Sequence, residues 1–263
     1  EVDLGRMSSD LSATRQSALD AEARVNALQA REAVLTENIA GLPTKHGNIP
    51  GKADDPMREL KQKPQVIANM LTWIKPQAQN EDDALKTVKK RFDAFGLSYP
   101  ERTLHAFHTS MKVNDTTQMT VLAGISGTGK SQLPRQYAAG MGIGFLQVPV
   151  QPRWDSPQDL MGFYNYIEQR FRPTDMARAL YAMDELNNAE DAVQDRMMMV
   201  LLDEMNLARV EYYFSDFLSR LESRPSRDAV DDPNLRKDAE IELEIPNAVT
   251  RIFPGYNLLF AGT

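Results

Sequence analysis

The sequence predicts an α/β fold, a parallel sheet flanked by helices. A long N-terminal helix and a small helical region are expected to precede the sheet. Three observations carry this prediction. An apolar run at 119–123 enters a glycine-rich loop and then a helical stretch. Further apolar runs at 144–150, 197–202 and 256–260 alternate with amphipathic segments, the pattern of strands covered on both faces. Residues 1–42 repeat apolar side chains every three to four positions, with no proline or glycine between Gly5 and Gly41.

That first stretch reads as a heptad. Positions 4, 7, 11, 14, 18, 21, 25, 28, 32, 35, 39 and 42 are Leu, Met, Leu, Thr, Ala, Ala, Val, Leu, Glu, Leu, Ile and Leu. Only Thr14 and Glu32 interrupt the seam, so a coiled coil that oligomerises or tethers is expected. The alternative is a long helix packed on its own domain. A seam already running at Leu4, in a chain opening on Glu1, suggests a piece of a longer coil.

Residues 43–56, with Pro43, Gly47, Pro50, Gly51 and Pro56, read as a linker. The region 57–115 then holds three amphipathic segments. Pro64 opens one carrying Val66, Ile67, Met70, Leu71 and Ile74; a second carries Leu85, Val88, Phe92 and Phe95 and stops at Gly96. Pro100 opens a third, with Leu104, Phe107 and Met111 on one face. His105 and His108 stand three apart near Glu101. They could ligate a metal, but no third ligand follows at a known spacing, and a satisfied or exposed pair is the plainer reading.

The domain over 116–263 carries the chemistry. Residues 124–131, GISGTGKS, fit GxxxxGK[ST], a phosphate-binding loop. The chemistry needs this order. Gly124, Gly127 and Gly129 let backbone N–H groups close around phosphate oxygens, and Ile125, Ser126 and Thr128 complete the wrap. The helix expected from Ser131 onward, with Gln132 in its first turn and Pro134 close behind, aims its positive end at the same anion. Lys130 would reach the β- and γ-phosphates and the Ser131 hydroxyl would ligate Mg²⁺. The competing reading is a glycine-rich turn that merely carries a lysine.

A second element follows at 197–204, six apolar residues ending in Asp203 and Glu204. Such a strand delivers acids to the C-terminal edge of a parallel sheet, where ligands sit. Asp203 would hold Mg²⁺, and Glu204 would act as general base on the attacking water. Elsewhere, Thr174 is expected to cap a helix bearing Met176, Leu180 and Met183. One apolar stripe is expected through Val210, Tyr213, Phe214, Phe217, Leu218 and Leu221. Residues 151–165 read as a polar turn and a short helix around Leu160, 223–238 as a loop, and 241–245 as a half-exposed strand.

Bulk composition bounds the rest. The 263 residues are 42% hydrophobic and 25% charged, with net charge −7, which argues against wholesale non-specific nucleic-acid binding. The absence of cysteine excludes disulfides, thiolate nucleophiles and Cys-ligated zinc. No apolar run approaches the ~18 residues of a membrane span and no secretory signal is present, so a cytoplasmic protein without a membrane partner is expected.

Taken together, residues from about 100 to 263 resemble the front part of an AAA+ nucleotide-binding domain. GISGTGKS matches the Walker A element and LLDEMN at 201–206 the Walker B element. WDSPQDLMG at 154–162 and the strand-pair insert before RIFPGYNLLFAGT resemble the McrB-like, dynein-related branch, close to the MoxR-type chaperones. GISGTGK departs from the commoner GPPGTGK without altering the phosphate contacts. The resemblance implies Mg²⁺-dependent binding and hydrolysis of ATP, or of GTP as in McrB, with the base left open. It implies a homo-oligomeric ring motor that remodels a partner or translocates nucleic acid, with a nuclease partner as one setting. A nucleotide-gated scaffold and a MoxR-like chaperone are the alternatives. It also implies a polar sensor residue after the strand at 256–260, an arginine finger and a helical lid, all expected beyond Thr263, so that this piece would hydrolyse poorly.

Overall fold

Apolar runs bounded by prolines, glycines and caps become the elements of the chain. The computed structural model describes residues 55–73, 80–189, 193, 195–246 and 248–263, all within the unit Asp54–Thr263. The expected coiled coil over 1–42 lies outside the described residues, as do Ile74 and all of the linker before Asp55.

Among the described residues three helices come first, α1 (Gln65–Thr72), α2 (Glu81–Ala94) and α3 (Glu101–Lys112). Strand β1 (Thr120–Val121), helix α4 (Gln132–Met141) and strand β2 (Gly144–Pro149) follow. The middle of the chain forms α5 (Pro157–Met161), β3 (Gly162–Asn165), β4 (Arg170–Pro173), α6 (Asp175–Met183) and β5 (Met198–Asp203). The last third forms α7 (Val210–Tyr213), α8 (Ser215–Glu222), α9 (Pro233–Arg236), β6 (Ile241–Ile245), β7 (Ala248–Ile252) and β8 (Leu258–Gly262).

Four strands pair in parallel in the order β1-β8-β5-β2. Alternate residues of the central strands enter opposite cores, as a sheet covered on both faces requires. Met198, Val200, Leu202, Leu258 and Phe260 face α1, α6 and α8, meeting Met70, Leu180, Met183, Phe217 and Leu221. Met199, Leu201, Leu259 and Ala261 face α2, α3 and α4, meeting Val88, Phe92, Phe107, Leu133 and Tyr137. Each fully buried side chain of this size contributes about 1.5–3 kcal/mol relative to leaving it in water. The predicted α/β class with a parallel sheet flanked by helices is what the chain adopts.

Local signals set the helix ends. Asn80 caps α2 by accepting from the Asp82 N–H at 3.1 Å, with Glu81, Asp82 and Asp83 in the first turn. The stop at Gly96 holds, with φ 65°. Thr174 caps α6 as expected, accepting from the Ala177 N–H at 3.1 Å. Ser156 and Asp159 form a capping box on α5, with Pro157 in its first turn.

Several expectations are corrected. The run at 119–123 is a strand only over Thr120 and Val121, at one edge of the sheet, where Val121 is 61% exposed. Helix α4 starts at Gln132, one residue later than read, and β8 spans Leu258–Gly262 rather than 256–260. Leu71 and Phe95 are exposed, at the last turn of α1 and just past α2. The stripe through 210–221 is two helices broken at Phe214 (φ −116°), an arrangement that buries the consecutive rings of Tyr213 and Phe214 together. The stretch 223–238 is not plain loop but contains two 3₁₀ turns and α9, which Asp232 caps and Pro233 opens.

Among the described residues, two antiparallel hairpins are inserted between strands of this sheet, one between β2 and β5 and one between β5 and β8. The pair β6–β7 realises the expected insert, with Ile241, Leu243 and Ile245 buried and Glu242 and Glu244 outward. The pair β3–β4 is not expected from the sequence: β3 falls at the end of the stretch assigned to turn and short helix, and β4 in a stretch given no assignment. Its entry needs glycine: Gly162 has φ 105°, and a Cβ there would lie 2.2 Å from the Arg172 carbonyl oxygen. Among the described residues, no helix is long and apolar enough to cross a membrane.

Candidate functional site

The C-terminal edge of the sheet gathers the residues that the sequence singled out. Strand β1 leads out along β8, where the Leu122 N–H donates to the Gly262 carbonyl at 2.8 Å. The chain then forms a loop over 124–130, exposed through Thr128 and half-buried at Gly129 and Lys130, before α4 begins. Gly124, Gly127 and Gly129 have φ of 155°, 81° and 83°. The loop closes on itself at the Ile125 carbonyl, which accepts from Thr128 Oγ1 and Lys130 Nζ, both at 2.9 Å. The side chains of Ile125, Ser126 and Gln132 face solvent, and the Gln132 amide oxygen accepts from Gln136 at 3.3 Å. An open loop bearing one ammonium group, at the N-terminal end of a ten-residue helix, suits an anion.

Strand β5 ends beside this loop. Ser131 Oγ donates to Asp203 Oδ1 at 2.7 Å, joining the two elements that the sequence treated as one site. Sheet order explains a further contact. Because β8 lies between β1 and β5, its following residue Thr263 reaches the same oxygen, with Oγ1 donating to Asp203 Oδ1 at 2.8 Å. From the other side, Gln147 on β2 donates its amide to Asp203 Oδ2, and its own oxygen accepts from the Arg135 guanidinium. Burial works to raise the Asp203 carboxyl. Hydrogen bonds from Ser131, Thr263 and Gln147, with the nearby Arg135 charge, outweigh it and hold the group below its ordinary value of 3.8.

Glu204 sits one residue on, exposed and in the left-handed region at φ 58°, ψ 49°. For a residue with a Cβ this conformation costs on the order of 1–3 kcal/mol and persists only where the surroundings impose it. Here Thr263 does so. Its Oγ1 accepts from the Glu204 N–H at 3.0 Å and its carbonyl from the Met205 N–H at 2.8 Å.

Asp203, Glu204, Ser131 and Lys130 thus share one sheet edge. Thr263 and Gln147 were not singled out from the sequence, where the expected polar residue after the last strand was placed beyond Thr263. The signal for Thr263 was a hydroxyl residue at the end of a buried strand. Gln147 carried a fainter one, as the only polar side chain within the strand 144–149.

The donor set fits a small hard cation. A carboxylate and a hydroxyl side by side, next to an anion-suited loop, are what Mg²⁺ uses when phosphates supply its other ligands. Among the described residues, no group of three or more His, Cys, Asp or Glu could hold a metal. The His105/His108 pair is not such a site. His108 is buried, with Nδ1 2.7 Å from the Tyr137 hydroxyl and Nε2 3.0 Å from Glu81 Oε1, whereas His105 is exposed beside Glu101 at 3.8 Å.

No protein-family model matches the chain, and no curated protein matches it.

Proposed function

We propose that this domain binds a nucleoside triphosphate with Mg²⁺ and hydrolyses it, as an AAA+ P-loop NTPase of the McrB-like, dynein-related branch. The observation that carries the reading is the 2.7 Å contact between Ser131 Oγ and Asp203 Oδ1. Two motifs 72 residues apart meet at the point where a Mg²⁺–phosphate group would need them both. In this reading, backbone N–H groups of 124–131 cradle the phosphates and Lys130 leaves the Ile125 carbonyl for the β- and γ-phosphates. Ser131 and Asp203 hold the metal. Glu204, exposed beside them, takes a proton from the attacking water. ATP and GTP both fit, since no described side chain is assigned to the base. Ring assembly and work on a protein or nucleic-acid partner rest on the resemblance of the motifs.

The test is Glu204→Gln. In a chain that also carries the expected sensor, arginine finger and lid, nucleotide binding should be kept while steady-state turnover falls by roughly 100-fold or more, the usual scale for a lost general base. Unchanged turnover would remove Glu204 from the role.

A further inference from the structure

The glycine-rich loop is held from outside as well as from within. The connector between α2 and α3 brings Tyr99 against it, and the Tyr99 hydroxyl donates to the Gly129 carbonyl at 2.8 Å. That carbonyl also accepts the N–H groups of Gln132 and Leu133, each at 3.0 Å, so three donors fix its direction. In a trans peptide the carbonyl and the following N–H point in opposite directions. Pinning the Gly129 oxygen toward Tyr99 and α4 therefore turns the Lys130 N–H away from them.

Tyr99 is itself well placed to act as a fixed post. Its ring meets Phe92 edge-on, with centroids 5.0 Å apart, and packs on the core beneath α2, α3 and α4. Pro100 restricts its backbone, and the Lys89–Glu101 ion pair at 2.9 Å ties the start of α3 to α2. Burial pushes its phenol up from the ordinary 10.0, so it stays a donor at neutral pH. Gly129 admits this contact because it has no side chain. A Cβ there would lie 2.6 Å from the Tyr99 oxygen, and φ is 83° besides. The third glycine of the loop thus serves a tyrosine thirty residues upstream as well as the loop's own turn.

We propose that Tyr99 is a positioning residue for nucleotide phosphates, its hydroxyl holding the Gly129 carbonyl so that the Lys130 N–H stays turned toward the anion. This rests on the nucleotide-binding reading above. It adds an external clamp, by which the helical segment before the sheet sets the readiness of the loop.

Tyr99→Phe keeps the ring against Phe92 and removes only the O–H. Two readouts follow. Without nucleotide, amide hydrogen exchange over 124–133 should quicken while α2 and α3 exchange as in the parent. With Mg²⁺ and ATP, the Kd should rise by about 3- to 10-fold, the scale of one neutral hydrogen bond. Parent-level exchange and affinity in Tyr99→Phe would overturn the proposal. So would a loss confined to Tyr99→Leu, which would assign the residue to packing alone. A parent chain that binds neither ATP nor GTP would instead overturn the nucleotide reading itself, and the phosphate role of Tyr99 with it. The two failures are therefore distinguishable.

Discussion

Glu81 and Asp203 are both carboxylates that draw donors from other elements, yet their surroundings differ in charge and in access. Glu81, the first residue of α2, takes the Lys112 ammonium at 2.6 Å and His108 Nε2 at 3.0 Å, and His108 in turn meets the Tyr137 hydroxyl. The Lys112 hydrogen bond, ahead of the smaller influence of His108, holds Glu81 below the usual carboxylate range. Its charge is answered by a cation within the fold, and the cluster ties α2, α3 and α4 together. Asp203 is held by Ser131, Thr263 and Gln147, all neutral, and the Arg135 cation reaches it through the Gln147 amide. It lies at the sheet edge beside an exposed glycine loop. A knot with its own counter-ion is architecture, whereas an acid with neutral donors beside an open loop can still take a cation.

That contrast can be broken by exchanging what each cluster lacks. The largest effect is expected at the open site. Asp203→Asn should weaken the Mg²⁺ dependence of nucleotide binding by roughly tenfold or more, as for a lost charged contact, while Glu81→Gln leaves it at the parent level. Titration of Mg²⁺ at fixed nucleotide reads both. Equal responses of the two variants would erase the distinction.

The closed site should answer in stability alone. His108→Phe leaves the Tyr137 hydroxyl and Glu81 without their buried partner and should lower the unfolding free energy by about 1–3 kcal/mol in urea, with nucleotide affinity unmoved. A change in affinity would mean that the cluster reaches the loop.

A smaller effect sharpens the account of Asp203 by pH. Its folded value lies below its ordinary 3.8, so the stability that it contributes is present above about that pH. That stability is lost as pH falls through the lowered folded value. Melting temperature should therefore fall less steeply on acidification below that point in Asp203→Asn than in the parent. An identical slope would show that the hydrogen bonds around Asp203 do not outweigh its burial.

How much of this was legible in the sequence depended on range. The loop at 124–131 and the strand ending at Asp203 are short-range patterns, since a phosphate cradle and an acid-tipped strand each fix their residue spacing locally. The cap at Thr174 and the stop at Gly96 are local chemistry of the same kind. Sheet order is not local. Nothing near Gln147 or Thr263 announces that β2 and β8 flank β5, yet that order alone sets both side chains on Asp203. The hairpin at 162–173 escaped for another reason. Its strands are four residues each, too short for a period of two to stand out, and its turn relies on Asn165, whose side chain accepts from the Ile167 and Glu168 N–H groups. Tyr99 illustrates the same limit, being a connector residue whose partner lies thirty positions away.

Binding of Mg²⁺–ATP and Mg²⁺–GTP to this chain and to Lys130→Ala, followed by calorimetry, tests the central claim most directly. Saturable binding of at least one nucleotide, weakened tenfold or more in Lys130→Ala as expected for a lost charge-assisted contact, is the predicted result. Binding of equal strength in the two chains would contradict it, and the loop at 124–131 would then be a glycine-rich turn that carries a lysine.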